Sequence, residues 1–367
     1  MPDRHRSIQR LAVCDEELVA GYDVAMLDLD GVVYRGGHAV AGAPAHVEAV
    51  RARGLRVAFV TNNASRAPAA VAAQLRDLGV AARDEDVVTS AQAVARLIAV
   101  RFGAGARILC VGGDGLRAAL TDCGLTPVSG LGQDPVAVVQ GFGPDVGWPE
   151  LAEASYAVSA GLPWYASNTD RTVPTARGTA PGNGMLVEAV AAATRTRPEV
   201  AGKPEPALFD ETVLRVGGTR PLVIGDRLDT DIEGANRVGA DSLLVLTGVS
   251  GLGDVASAPP PLRPTFVSAD LEGLWVAHPQ VSVDADVTTC AGFAAVVESG
   301  AVRVRDTRAA TARRDGHAEA VALVRVVVGC AWHHADTGGS PPSTCDAGGR
   351  LRSIMVADTP SDPEVSG

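Results

Sequence analysis

The sequence predicts an α/β protein built on a doubly wound parallel sheet. Three observations carry that prediction. Short apolar runs alternate with amphipathic, helix-length segments. The first run, "VAMLDLDGVVYRGG" (Val24 to Gly37), ends abruptly in two carboxylates and a glycine. The same strand-then-acid pattern returns late, in "PLVIGD" (Pro221 to Asp226). Strand–helix–strand alternation at this spacing gives parallel strands with helical crossovers.

Taken in order, "VAMLDLD" reads as a strand and "APAHVEAVRARG" as a helix ended by Gly54. "RVAFVTNN" is a strand. "PAAVAAQLRDLG" is a helix with proline at its start and Gly79 at its end. After a long interruption come "PLVIGD" as strand, "TDIEGANRVG" as helix, "DSLLVLTG" as strand and "TFVS" as a last short strand. The interruption has its own alternation: "AVARLIAVRF" helix, "RILCVGG" strand, "GLRAALTDCG" helix, "VAVVQGF" strand, "ELAEASYAVSAG" helix, "PWYASN" strand. It reads as an inserted α/β domain. "ASAPPPLRPTF" reads as a surface loop. Beyond about His278 the pattern changes. "AGFAAVVESGAVRVRD" reads as a hairpin turning at Glu298-Ser299-Gly300, and "HAEAVALVRVVVGCAW" as a helix running into a strand. The end, from about 337, reads as disordered. The expected domains are a core of 1–89 plus 196–277, an insertion of 90–195, and an extension of 278–367.

Composition narrows the function. The 367 residues exceed one ordinary core. Apolar residues make up 46% and charged residues 20%, the balance of a globular chain, and no apolar run reaches membrane-helix length. A net charge of −11 with 4% aromatics argues against nucleic acid. The N-terminus lacks the apolar stretch of a secretory signal, and six cysteines without a CxxC pair favour reduced thiols. The expectation is a cytoplasmic protein with a small-molecule substrate and neither a membrane nor a nucleic-acid partner. A homodimer is compatible with this.

In a parallel sheet, ligands collect beyond the carboxyl ends of the strands. Asp28 and Asp30 fall there. Two close carboxylates repel, and a hard divalent cation such as Mg²⁺ is the natural compensation. A D-x-D-G segment alone is more often a surface turn. Three further stretches change the balance. "FVTNN" puts Thr61 and Asn62 at the next strand end, where a hydroxyl and an amide can donate to phosphate. "AGKPEP" holds Lys203, a cation for a phosphate or a carboxylate. "VIGDRLDTDIEGA" adds Asp226, Asp229 and Asp231.

In this order, "DLDGVVY", "TNN", "GKPEP" and "GDRLDTDI" resemble the four motifs of the haloacid dehalogenase (HAD) superfamily. "TNNASR", "GDRLDTDI" and the large insertion between the second and third motifs resemble its subfamily IIA phosphatases, related to bacterial NagD proteins and to pyridoxal phosphate and glycerol phosphate phosphatases. The resemblance spans about residues 20 to 275. It implies a HAD-like core with a C2-type cap. It implies Asp28 as nucleophile forming an aspartyl-phosphate, and Asp30 as general acid and base. Mg²⁺ would be held by Asp28, the Asp30 carbonyl and Asp226, with Asp231 supporting and Asp229 unassigned. Thr61, Asn62 and Lys203 would bind the phosphoryl group.

A cap selects the leaving group. The candidate loop is "SNTDRTVPTARGTAPGNGML" (Ser167 to Leu186), with Thr169, Asp170 and Arg171 as candidate contacts. An ordinary turn capping a strand is the competing reading. Pyridoxal phosphate phosphatases of the subfamily place a histidine in the corresponding loop. The histidines here stand at 5, 38, 46, 278, 317, 333 and 334, outside it. Trp164 and Tyr165 are the only aromatics nearby. A small polyol phosphate fits this loop better, and the resemblance to single-chain phosphatases of the subfamily that carry an added C-terminal segment implies glycerol 3-phosphate as the preferred substrate, with another sugar phosphate, a nucleotide or pyridoxal phosphate as alternatives. A receiver-like phosphoacceptor, a catalytically dead binding protein and a phosphomutase are the other readings. The extension is loosely similar to part of a GCN5-type acetyltransferase fold, without its glycine-rich phosphate loop. A regulatory or dimerisation role is expected for it. "WHHAD" (Trp332 to Asp336) offers two adjacent histidines that a strand would point opposite ways.

Overall fold

A computed structural model of the chain describes residues 10–175, 177–308 and 315–357. Among them, Val24–Leu27, Arg56–Thr61 and Val87–Thr89 are neighbouring strands of one compact unit, and Asp241–Val245 and Phe266–Ser268 neighbouring strands of a second. Val24–Leu27 pairs in parallel with Arg56–Thr61, which pairs in parallel with Val87–Thr89. Asp241–Val245 and Phe266–Ser268 are likewise parallel. The doubly wound α/β prediction holds.

The chain forms two compact units. The larger comprises Asp23–Val223 with Arg237–Ala240. Its helices Ala43–Ala52 and Pro68–Asp77 both carry proline in the first turn. Gly54 and Gly79, with φ of 85° and 80°, follow them in the left-handed region predicted for helix stops. Helix Ser90–Phe102 starts on a capping box in which Thr89 and Gln92 satisfy each other's backbone. The same unit carries a second parallel sheet, ordered Glu199–Val200, Trp164–Ala166, Ala137–Gln140, Arg107–Val111, Thr126–Val128. Helices Trp148–Ser159 and Asn183–Thr194 cover one face through Val138, Ala154, Val158, Trp164, Val187 and Val190. Trp164 and Tyr165 are core residues, 4% and 1% exposed, so neither is a surface on which a ring could stack.

The second unit takes in residues 10–22, Ile224–Asn236 and the described residues from 241 onward. An antiparallel sheet runs Ser282–Asp284, Val287–Cys290, Phe293–Glu298, Ala301–Asp306, with the predicted hairpin at its end. "HAEAVALVRVVVGCAW" departs from the prediction. It lies wholly inside one helix, Gly316–Asp336. Its valines favour a strand, but they bury on several sides of the helix, and packing overrides a weak local propensity. The two histidines of "WHHAD" thus sit on that helix. Residues 345–357 also differ from the expected disorder: Cys345–Ala357 is a helix packed through Ala347 and Leu351. The rest of the predicted tail, 358–367, lies outside the described residues. One apolar cluster joins Leu228, Ile232, Leu244, Val255 and Val267 to Cys290, Phe293 and helix Gly316–Asp336. No described helix is long and apolar enough to cross a membrane.

Candidate active site

The apolar strand Val24–Leu27 is wholly buried and delivers Asp28, half-buried, at its carboxyl end. The chain then turns sharply. The amides of Val33 and Tyr34 both donate to the Leu29 carbonyl, and Gly31 donates to Tyr34 O at 2.8 Å. Gly31 takes φ 91°, which a side chain would resist, so the turn requires glycine. It carries the exposed Asp30 away from the strand line. Burial of the Asp30 carboxyl group still pushes it above the ordinary carboxylate range, with Arg35 pulling the other way. A raised carboxyl suits a proton donor.

Lys203 is 5% exposed. Its Nζ donates to Asp28 Oδ1 and to the Val60 carbonyl, the latter at 3.2 Å. A buried ammonium needs such partners. Strand Arg56–Thr61 ends in Thr61, whose Oγ1 accepts from the Asn63 amide at 3.1 Å. Asn62 behaves differently from a simple phosphate donor. Its carboxamide donates to Lys203 O and to Asp170 Oδ1, both at 3.1 Å, and accepts from the Lys203 amide at 2.8 Å. The carboxamide hydrogens and oxygen are thereby engaged within the protein.

The loop after Ser167 is built rather than slack. Asn168 donates to Asn62 O at 2.7 Å, and Asn183 to Asn168 O at 2.7 Å. The Gly184 amide donates to Asp170 O at 2.8 Å, and Gly182 to Arg171 O at 2.9 Å. A Cβ at Gly182 or Gly184 would meet Asp170 O or Thr169 O at 2.3 and 2.2 Å, so only glycine lets these backbones close. Asp170 is thereby joined to Asn62, while Thr169 and Arg171 flank it and are exposed. A short hairpin, Thr172–Thr175 with Gly178–Pro181, follows.

In the second unit, Asp226 and Asp231 are 0% and 1% exposed. Val249 N–H donates to Asp226 Oδ2 at 2.6 Å, and Arg227 N–H to Asp231 Oδ2 at 3.1 Å. Gly248 and Gly225 make room, since a Cβ there would lie 1.9 Å from the Asp226 carboxylate and 2.2 Å from Asp231 Cβ. The acids sit around a π-helical turn, Leu228–Ile232. Asp229 is exposed and paired with Arg227, whose guanidinium holds its carboxyl below the ordinary value. Within this unit, carboxylate oxygens of Asp226 and Asp231 lie within 4.8 Å of each other, a pair disposed to hold a cation.

Two residues near the acids went unread in the sequence. Burial and the charges of Asp30 and Asp28 push the Tyr34 hydroxyl up to about 12, and Tyr34 is hydrogen-bonded to Arg66. Both lie within the quoted stretches "DLDGVVY" and "TNNASR", but nothing in their spacing marks them.

A carboxylate on a buried lysine, a hydroxyl at the next strand end and, in the second unit, two buried acids are the kinds of group that hydrolysis of phosphate esters uses. Comparison with known proteins agrees. Residues 25–126 match the family described as haloacid dehalogenase-like hydrolase, and residues 200–274 a second, HAD-hydrolase-like family. The chain belongs to the haloacid dehalogenase-like hydrolases, and its relatives are phosphatases. It is 49% identical to the D-glycerol 3-phosphate phosphatase of Mycobacterium tuberculosis over 69% of this chain and 71% of that one. It is 35% identical to the acid sugar phosphatase of Staphylococcus aureus over 68% and 95%. The crystal structure of a glycerol phosphate phosphatase from M. tuberculosis in complex with magnesium superposes with a TM-score of 0.78 at 41% identity, covering 94% of this chain and 99% of that one.

Proposed function

We propose that the protein is a Mg²⁺-dependent phosphomonoester hydrolase that works through an aspartyl-phosphate on Asp28, with glycerol 3-phosphate as its substrate. The observation that carries the reading is the buried Lys203 ammonium on Asp28, and the paired, buried Asp226 and Asp231 carboxylates of the second unit support it. The substrate assignment draws on the likeness to the M. tuberculosis D-glycerol 3-phosphate phosphatase and on a cap loop without histidine or an exposed ring.

The donor set fits the metal. Hard oxygens, with neither sulfur nor nitrogen among them, are what Mg²⁺ prefers, and it takes few protein ligands. Asp28, Asp226 and the Asp30 carbonyl would hold it, with Asp231 supporting. When bound, Mg²⁺ neutralises and orients the phosphoryl oxygens.

The chain's own groups do the rest. Asp28 attacks phosphorus in line. Its O–P bond forms as the ester P–O bond breaks, and the Asp30 carboxylic acid gives its proton to the departing alkoxide. Asp30, now a carboxylate, takes a proton from water. That water attacks phosphorus, and Asp28 leaves as carboxylate. Thr61 Oγ1, the Asn62 main-chain amide and Lys203 Nζ balance the charge on the transferring group. Asp170 is the leading contact of the cap loop. A reducing, cytoplasmic setting is part of the same reading, supported by six free thiols.

A phosphate-release panel tests it. The expected outcome is the highest kcat/KM on glycerol 3-phosphate, activity lost to EDTA and restored by Mg²⁺. Full activity in EDTA sinks the mechanism, and a clear preference for a nucleotide or pyridoxal phosphate sinks the substrate.

A further inference from the structure

Asn62 occupies an unusual position for a residue beside a phosphate site. It is 8% exposed, and its carboxamide reads both polar groups of one residue's backbone, the N–H and the C=O of Lys203. The second amide hydrogen goes to Asp170 Oδ1, 108 positions away. Its own carbonyl takes two more bonds, from Ser90 Oγ at 2.6 Å and Asn168 Nδ2 at 2.7 Å. Gly202 keeps the approach open, because a Cβ there would lie 2.6 Å from Asn62 Oδ1. Only a carboxamide of this length supplies two donors and an acceptor here. Aspartate cannot donate, and serine falls short.

Through these bonds Lys203 is held at both ends: its backbone by Asn62, its Nζ by Asp28. Asp170 and Asp28 are therefore linked to opposite ends of one lysine. A carboxylate tied down by a hydrogen bond accepts well from hydroxyls and repels a second carboxylate.

We propose that Asn62 is a positioning residue that couples the cap-loop carboxylate Asp170 to the pose of Lys203, and that this link makes the enzyme select leaving groups bearing hydroxyls over those bearing a carboxylate or none. The proposal rests on the phosphatase reading above and deepens it. A polyol leaving group donates to Asp170, and Asn62 passes that restraint to the lysine on the phosphoryl group. An aryl leaving group forgoes it. A leaving group ending in carboxylate is repelled.

The test is a double-mutant cycle on two substrates, glycerol 3-phosphate and p-nitrophenyl phosphate, with 2-phosphoglycolate as a third. Asp170→Asn keeps an acceptor for Asn62 but removes the charge. It is expected to lower kcat/KM on glycerol 3-phosphate by about tenfold or more, as a site built for a hydroxyl does when its acceptor weakens. It should change p-nitrophenyl phosphate by less than about threefold and raise 2-phosphoglycolate turnover. Asn62→Asp keeps the acceptor for the Lys203 amide and loses both donors. It is expected to lower kcat on all three substrates. When Asp170→Asn and Asn62→Asp are combined, the new carboxamide in the cap loop can donate to the new carboxylate after the strand, restoring the link in reverse. About fivefold of the kcat lost in Asn62→Asp should then return on glycerol 3-phosphate. Equal losses on the three substrates for Asp170→Asn, or effects that simply multiply in the double variant, overturn the proposal. If Asn62→Asp does not fold by thermal melting, the substrate ratios of Asp170→Asn alone decide. Wild-type protein inactive on every phosphate ester would instead refute the phosphatase reading.

Discussion

Asp28, Asp226 and Asp231 are buried or half-buried charges, and the chain contains each with named contacts. Lys203 meets the first, the Val249 and Arg227 amides meet the others, and Gly225 and Gly248 leave the space. Asp28→Asn preserves shape and removes the nucleophile. Phosphatase activity is expected to fall at least about a thousandfold while the melting profile persists, measured by phosphate release and circular dichroism. A second residue-scale prediction concerns His278, which is fully buried, edge-on to Phe266, donating to Gly273 O at 2.8 Å and facing the Arg325 guanidinium. Burial pulls it from 6.5 down to about 4. The unfolded chain takes up this proton as pH falls through 6.5, and the folded chain resists until about 4. Stability from this group is therefore intact above 6.5 and lost between 6.5 and 4, by about 3 kcal/mol. Urea melts at pH 7.5 and 4.5 should show that much more loss for wild type than for His278→Gln. An identical pH dependence in both refutes it. The sequence displayed the acids and the lysine because each follows an apolar strand or a glycine. It hid the work of Asn62, whose side-chain partners stand 108 and 141 positions away.

Helix Gly316–Asp336 is the element whose role the sequence concealed most. Its valine run mimics a strand, and its buried surface becomes visible only when the sheet beneath it is assembled. Trp332 Nε1 donates to Val255 O at 2.7 Å, and Arg263 stacks on the indole while pairing twice with Asp336, at 2.7 and 2.8 Å. Val255 belongs to the short helix Leu252–Ala256, which follows the loop carrying Val249 and Ser250, the residues that donate to Asp226. Trp332→Phe removes one buried donor and leaves the Val255 carbonyl without it. It is expected to cost about 1–2 kcal/mol in denaturant unfolding. No measurable loss would show that the bond does not support the loop. By contrast, the strands and helices of the sheet were legible, because proline starts, glycine stops and period-two or period-3.6 apolarity all agree there. The hairpin after Asp170 was not, being short and polar.

At the scale of the molecule, the extension is no appendage in its own unit. Leu228 and Ile232, which flank Asp229 to Asp231, share one apolar cluster with Phe293, Leu323, Val327 and Trp332. Removal of residues 280–367 strips that cluster of more than half its members. The truncated chain is expected to bind a hydrophobic dye and lose its cooperative melt, and a stable, fully active truncated protein would contradict this. The architecture was readable from alternation alone. The merging of extension and sheet was not, since burial between distant segments leaves no local signature. The most direct test of the account is to trap the phosphoryl group. Asp30→Asn removes the base for the water step, and a p-nitrophenolate leaving group departs without a proton from Asp30, so rapid quench with radiolabelled p-nitrophenyl phosphate should leave label on the peptide containing Asp28, stable in acid and released by hydroxylamine. Label on another residue, or none at all while phosphate is still released, would contradict it.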